Sequence, residues 1–267
     1  MLINDNTSAQ GIQNASSSNQ QRIRSSLFKL ATGLRINSAA DDAAGLASSE
    51  MLRAQIRGSQ MAQTNSNDAL AMLQIADSGG QQISDALQRM RELAIQSSNS
   101  TYSGADRTAM QKEYAALASQ VSDISQGTTY NGQQLLSGQQ DFSYQVGDSA
   151  NGSSVLNVST HALSSTPSFG DISNPAGAQG AVGSIDSLMG SVMAMRSGLG
   201  ASMNRLSATS TNLGNSIAAT TGAESQIRDT NYASETTQLA LAQILNKSSS
   251  SMLAQANLLP TGVMGLL

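Results

Sequence analysis

The stretch Met51–Ser97, MLRAQIRGSQMAQTNSNDALAMLQIADSGGQQISDALQRMRELAIQS, repeats with a period of seven. Leu52, Ser59, Ser66, Leu73, Gly80, Leu87 and Ala94 occupy one heptad position, and Gln55, Ala62, Ala69, Ala76, Ile83, Met90 and Ser97 lie three residues on. All but Gln55 are apolar or small. That is a coiled-coil seam, because about 3.5 residues per turn keeps both positions facing a partner. The first half of the seam is mostly Ala and Ser, and only its second half, Ile83, Leu87, Met90 and Leu93, is bulky. Small seam residues permit close approach but bury little apolar area. The pattern therefore predicts a helix that depends on several neighbours.

Outward from this stretch, Ser38 or Asp41 is placed to cap the helix, with Asp41 and Asp42 in its first turn, where carboxylates suit the positive end of the dipole. Paired carboxylates can also bind metal or transfer protons, but no His, Cys or third acid stands beside them, so capping is the preferred reading. A second helix is predicted over Asp106–Ser125, with Met110, Tyr114, Leu117, Val121 and Ile124 at helical spacing. Thr128–Gly132 reads as a strand entering an Asn-Gly turn. Phe142–Gly147 and Val155–Val158 read as further short strands, with a turn at Asn151-Gly152. Residues 164–183 read as a loop, and Gly177, Gly180 and Gly183 lack the strand and partner residues of a nucleotide-binding loop. Heptad spacing returns with Ile185, Val192, Leu199, Leu206 and Leu213, flanked by Leu188, Met195, Met203 and Ile217. Another helix is predicted over 224–257, with Leu239, Ala242, Leu245, Met252 and Ala256 on an apolar side. The uncharged end, Leu258 to Leu267, calls for a buried resting place. Residues 1–36 carry a stripe only from Ile23 through Leu27, Leu30 and Leu34. This end is expected to be disordered alone and helical once packed, with Gly33 as a break.

Composition sets the class. Charged residues make up 12% and aromatics 3% of 267 residues, with no Trp. Such a chain builds thin helical layers rather than a thick core, and weak surface charge favours self-association. A net charge of −4 and scattered cations argue against nucleic acid. Neither a Sec signal nor a run of apolar residues long enough to span a membrane is seen, so no membrane partner is expected. With one histidine, His161, and no cysteine, no His-dependent triad or multi-His metal site can be assembled in one chain. We expect no catalytic residues, no metal site and no cofactor. The 12 methionines read as core filling. His161 reads as solvent-exposed, and the Asn-X-Ser/Thr sites are expected by chance in so polar a chain. The fold class is mainly α: long antiparallel coiled-coil helices with a small β-hairpin patch.

Leu30–Ala47 (LATGLRINSAADDAAGLA), residues 87–96 (LQRMRELAIQ), residues 129–138 (TYNGQQLLSG) and the ending from Ile227 resemble the bacterial flagellins. The resemblance spans roughly 1–160 and 185–267, in a short form nearly lacking the variable outer domains. It implies a structural subunit that polymerises with its own copies into the extracellular flagellar filament for motility, exported unfolded by the flagellar type III pathway. It further implies a flagellar cap, hook–filament junction proteins and an export chaperone as partners. The implied organisation is 1–44 and 225–267 in an inner-tube domain, 45–127 and 184–224 as core helices, and 128–183 as the hairpin region with a short loop. Terminal packing would fall to Leu27, Leu30, Leu34, Leu239, Leu245, Leu253, Leu259, Val263 and Leu266. Gln88, Arg89, Leu93 and Glu113 would serve assembly and contact a vertebrate Toll-like receptor that senses flagellin. Two features depart from the family pattern: no basic residue follows the final Leu pair, and the start is looser. A hook–filament junction protein shares the terminal helices and is the nearest alternative. A coiled-coil binding module outside motility is another, and a secreted enzyme on the same frame lacks the necessary motifs.

Overall fold

The computed structural model describes residues 6–137, 140–148, 154–160 and 169–264. His161, the Asn151-Gly152 turn, residues 164–168 of the expected loop and Leu266 lie outside the described residues. The elements are α1 (Thr7–Thr32), α2 (Ala43–Ser98), α3 (Gly104–Gly127), β1 (Thr129–Tyr130), β2 (Gln133–Gln134), β3 (Gln140–Gln145), β4 (Val155–Thr160), α4 (Pro175–Arg228) and α5 (Tyr232–Met264). They form two compact units: residues 57–217, and the two ends of the chain, up to Ile56 and from Ala218.

In the 57–217 unit the predicted seam is the core. Every heptad position from Ser59 to Ser97 is buried, and Leu73, Ile83, Leu87, Met90 and Leu93 anchor one hydrophobic cluster. Three layers meet on α2. Helix α4 runs antiparallel to it, tied by Gln63 Nε2 donating to the Ser210 carbonyl at 3.4 Å and by ion pairs Asp77–Arg196 (2.8 Å) and Arg91–Asp186 (2.7 Å). Helix α3 folds back through a tight turn, with Met110, Tyr114 and Val121 buried. The adjacent glycines in mid-α2 show why small residues are needed. A Cβ on Gly79 would meet Thr128 Oγ1 at 2.7 Å and Leu136 Cδ1 at 2.8 Å. One on Gly80 would meet Met195 Cε at 3.0 Å. Two neighbours thus crowd the helix at successive residues, and each position gives up helix propensity of about 1 kcal/mol for that approach.

Local chemistry sets the ends. Ser103 and Asp106 form a capping box that starts α3. The Arg107 guanidinium donates to the Ser97 and Asn99 carbonyls, both at 2.9 Å, satisfying the C-terminus of α2. Asn131 (φ 50°) and Gly132 (φ 79°) are both left-handed, joining β1 to antiparallel β2 as the Asn-Gly pair predicts. Strand β3 pairs antiparallel with β4, Phe142 opposite Val158 and Tyr144 opposite Leu156. Leu156, Val158 and Thr160 alternate inward, and the Tyr144 hydroxyl donates to Met72 Sδ on α2 at 2.6 Å.

The loop expected over 164–183 is corrected in its last part, because 175–183 is the first segment of α4. Asn174 accepts from the Gly177 N–H at 2.7 Å, Pro175 takes the first helical position, and Ala178, Ala181 and Ile185 continue the buried stripe. Packing outweighs the three glycines.

In the unit formed by the chain ends, Asp42 is the N-cap of α2, accepting from the Gly45 N–H at 2.9 Å. The expectation of Ser38 or Asp41 as cap is corrected. Asp41 lies outside the helix and accepts from the Ser38 and Asn37 N–H groups, which hold its carboxyl below the usual range. Gly33, with φ 73°, does end α1. The predicted helix start at 224 is also corrected: α4 continues to Arg228, and Asn231 caps α5, accepting from the Ser234 N–H at 3.2 Å.

Candidate functional site

The helices at the two ends of the chain form a pair. Asn6 Nδ2 donates to the Ala256 carbonyl (2.9 Å), Ser16 Oγ to Asn246 Oδ1 (3.1 Å) and the Tyr232 hydroxyl to the Leu30 carbonyl (2.9 Å). The partners run in opposite directions along the two helices, so α1 and α5 are antiparallel. Helix α1 begins at Thr7, well before the stripe visible from Ile23, because it packs on α5 of its own chain.

The buried face of this pair is small and polar. On α5 it contains Glu235, Ala242 and Ala256 at 3–7% exposure, with half-buried Leu239, Asn246, Ser249 and Leu253. On α1 it contains buried Asn19 and Ser26, with half-buried Ala9, Ile12, Ser16, Ile23 and Leu30. Both sets step by three and four residues, the heptad pattern. The large apolar side chains lie elsewhere. Leu27 and Phe28 on α1, and Leu241, Ile244, Leu245, Met252 and Leu258 on α5, are exposed, Ile244 by 67%. The single apolar side expected on α5 is therefore two: Leu239, Ala242 and Ala256 face α1, while Leu245 and Met252 face outward. A groove of about 340 Å³ between the helices is lined by Arg22, Ser26 and Lys29 on one side and Leu241, Ala242 and Leu245 on the other.

Of the residues assigned to terminal packing, Leu30, Leu34, Leu239 and Leu253 are half-buried, and Leu27 and Leu245 are exposed. Leu34 forms an antiparallel bridge with Asp229, flanked by Arg35 N–H to the Arg228 carbonyl (2.6 Å) and Thr230 N–H to the Gly33 carbonyl (2.9 Å). Arg35 reaches the Ile227 carbonyl, and Arg228 pairs with Glu50 at 3.0 Å. Leu259 and Val263 lie within α5, their side chains outside the described residues. Sequence reasoning missed Phe28, Leu241 and Ile244. The missed signal was a second seven-residue step on α5, Leu245 to Met252, offset from the first.

On the 57–217 unit the structure joins Arg89 to Glu113: Arg89 Nη2 and Nε donate to Glu113 Oε1 at 2.8 and 3.0 Å, and Nη1 pairs with Glu92 at 3.0 Å. The hydrogen bonds to Glu113, then Glu92, raise the guanidinium above its usual pKa. Gln88 is exposed beside them. Leu93, one turn on, is buried in the core at 2% exposure. Among the described residues no group of three or more His, Cys, Asp or Glu could hold a metal ion, and no helix is long and apolar enough to cross a membrane.

A helical pair that buries serine and asparagine while exposing leucine and isoleucine follows the pattern of an associating structural protein. The family profile described as the bacterial flagellin N-terminal helical region matches residues 3–141, and that of the C-terminal helical region matches 182–267. A flagellin of Halalkalibacterium halodurans is 40% identical, a flagellar filament 33 kDa core protein of Treponema phagedenis 35%, and a flagellin of Bacillus subtilis 34%, each over the full length of both chains. The crystal structure of Bacillus cereus flagellin superposes with a TM-score of 0.50 at 26% identity, covering 56% of this chain and 88% of that one. The chain belongs to the bacterial flagellin family. It is a structural subunit of the flagellar filament that serves motility, and the family is not enzymatic.

Proposed function

We propose that the α1–α5 pair is the surface through which copies join, and that it forms the inner tube of the filament. The observation that carries this is the exposed apolar set on α5, Leu241, Ile244, Leu245 and Met252. Burying one such side chain is worth about 1.5–3 kcal/mol, and all four are exposed among the described residues. In this reading 1–44 and 225–267 make up the inner-tube domain. The helices over 45–127 and 184–224 form the outer layer, and 128–183 replaces the outer domains of larger relatives. Leu27, Leu30, Leu34, Leu239, Leu245, Leu253, Leu259, Val263 and Leu266 supply terminal packing.

The chain reaches its place outside the cell unfolded, through the flagellar type III pathway. An export chaperone covers it before assembly, and it adds beneath the flagellar cap on a base of junction proteins. Arg89, Glu113 and Gln88 present a polar surface suited to a vertebrate flagellin-sensing Toll-like receptor, with Leu93 seating the helix beneath them. Purified monomer seeded with short filament fragments tests the central claim. Wild type elongates the seeds, and Leu241→Ser with Leu245→Ser stops growth while the monomer stays folded. Wild type that covers seed ends without growing would instead indicate a junction protein. For the receptor surface, Arg89→Ala and Leu93→Ala lower receptor activation by monomer, and unchanged activation would remove that assignment.

A further inference from the structure

From Leu239 to Ala256 the α5 seam repeats nearly alike every seven residues, with Ala242, Ser249 and Ala256 at one position and Leu239, Asn246 and Leu253 at the other, so its small and apolar members distinguish poorly between registers one heptad apart. Backbone contacts of residues 33–35 with 228–230 anchor one end of the pair, and a contact within the seam must hold the register along the rest of its length. The three hydrogen bonds across the pair divide both helices into equal lengths: Asn6 to Ser16 matches Ala256 to Asn246, and Ser16 to Leu30 matches Asn246 to Tyr232. Only the middle one joins two side chains within the seam.

We propose that Ser16 and Asn246 are the register lock of the terminal helix pair. In the observed register the Ser16 hydroxyl donates to the Asn246 amide oxygen at 3.1 Å, between groups 230 residues apart in sequence. A slip of one heptad either way sets Asn246 opposite Ala9 or Ile23, and Ser16 opposite Leu239 or Leu253. Each alternative leaves an amide and a hydroxyl in the seam without a partner, which costs more than the hydrogen bond itself gains. A polar pair at one seam level makes a single register preferred where an apolar pair would permit several. The terminal bonds act at the same register but involve a backbone carbonyl at each end, and a helix offers a carbonyl at every residue. They therefore cannot discriminate as the side-chain pair does.

The register is a property of the single chain and is tested there. Its consequence, that the apolar stripe of α5 stands at one height relative to α1 in every subunit, rests on the assembly reading above. Because the chain has no cysteine, engineered pairs report register without background. Ile12→Cys with Ser249→Cys reads the observed register, and Ile12→Cys with Ala242→Cys or Ala256→Cys reads the two slips. Each pair is placed in the full-length monomer, oxidised, and scored by peptide mass spectrometry. In the otherwise wild-type chain only the 12–249 bridge forms. In the Ser16→Ala, Asn246→Leu background a slipped bridge rises by about tenfold or more relative to the 12–249 bridge. The exchange Ser16→Asn with Asn246→Ser returns the wild-type pattern. A pair that merely stabilises the helices would lower all bridges together without adding slipped ones, and that result overturns the proposal. So does an unchanged pattern in the apolar background, slipped bridges in the wild type, or no bridge at all. Seeded elongation of the same apolar variant separates the two readings. Slipped bridges with normal elongation uphold the lock and remove its link to assembly.

Discussion

The Met51–Ser97 seam and the α1–α5 seam follow the same seven-residue period and bury opposite kinds of side chain. The first puts Leu73, Ile83, Leu87, Met90 and Leu93 inside. The second puts Asn19, Ser26, Ala242 and Glu235 inside and leaves Leu241 and Ile244 exposed. A helix pair of the first kind completes its stability within one chain. On the reading proposed above, one of the second kind keeps its largest hydrophobic contribution for contact with other copies. Heptad period alone does not separate these cases. What separates them is which residues the period places on the seam.

Exchanging the two roles gives the largest expected effects. Leu87→Ala removes a fully buried side chain and is expected to cost about 2–5 kcal/mol, seen as a lower Tm of the monomer by calorimetry. Leu241→Ser with Leu245→Ser leaves that Tm unchanged and lowers seeded elongation roughly a hundredfold or more. If the second variant instead melts the monomer, the apolar stripe belongs to the internal core and the contrast fails.

Close approach distinguishes the regions next. Gly79→Val on α2 drives branched carbons into Thr128 and Leu136, where even a Cβ would sit at 2.7–2.8 Å. Overpacking of this kind costs about 1–3 kcal/mol, again read as a lower Tm. The same change at Gly11 on α1, where a Cβ would meet nothing within 4 Å, is expected to leave the monomer's Tm unchanged. Equal losses at the two sites would show that α1 is packed as tightly as α2.

How far the chain can be read without coordinates follows the same division. The seam from Ser59 to Ser97 was legible position by position, because hydrophobic period and burial agree there. The Asn131-Gly132 turn was legible because its left-handed backbone needs those residues. The start of α4 was obscured by glycine content, although Asn174-Pro175 is a capping signal. The face of α5 that packs on α1 was the hardest to see. A search for apolar residues merges the two faces, placing Leu239, Ala242 and Ala256 with Leu245 and Met252, since Asn246, Ser249 and Glu235 carry no hydrophobic signal. Likewise Leu93 shares a motif with Arg89 and lies one turn on, yet it falls inside the edge of the buried face of α2 while Arg89 falls outside it.

Alkaline pH acts on the 57–217 unit. Burial pushes the Tyr114 hydroxyl up to about 12, and burial, then the nearby Tyr130, pushes Tyr144 up to about 12. Both stay neutral in the folded chain after the unfolded chain has begun to ionise near 10. Their contribution is complete below pH 10 and is lost as pH rises toward 12. For Tyr114, which donates to the Phe169 carbonyl, the loss is about 2 kcal/mol. Tyr114→Phe lowers stability at pH 7, through the lost hydrogen bond, and flattens the fall between pH 10 and 12. Denaturant titrations at several pH values would show it, and a variant with the wild-type slope would exclude Tyr114 as its source.

The smallest effect is expected where the ion pairing looks densest. Arg89 contacts both Glu113 and Glu92, yet the side chains are 49–68% exposed. Water screens such pairs, and the ordering of long side chains offsets most of what remains. Arg89→Ala is therefore expected to leave the monomer Tm within error, in contrast to Leu87→Ala two positions away. Because α2 is held by its buried face, the loss of an outward cation should not disturb Leu93 or the α3 contact. Any effect of Arg89→Ala on recognition by another molecule would then report that contact directly. A Tm change comparable with that of Leu87→Ala would show instead that the Arg89–Glu113 link holds α3 to α2, and the outer face of this unit could no longer be separated from its core.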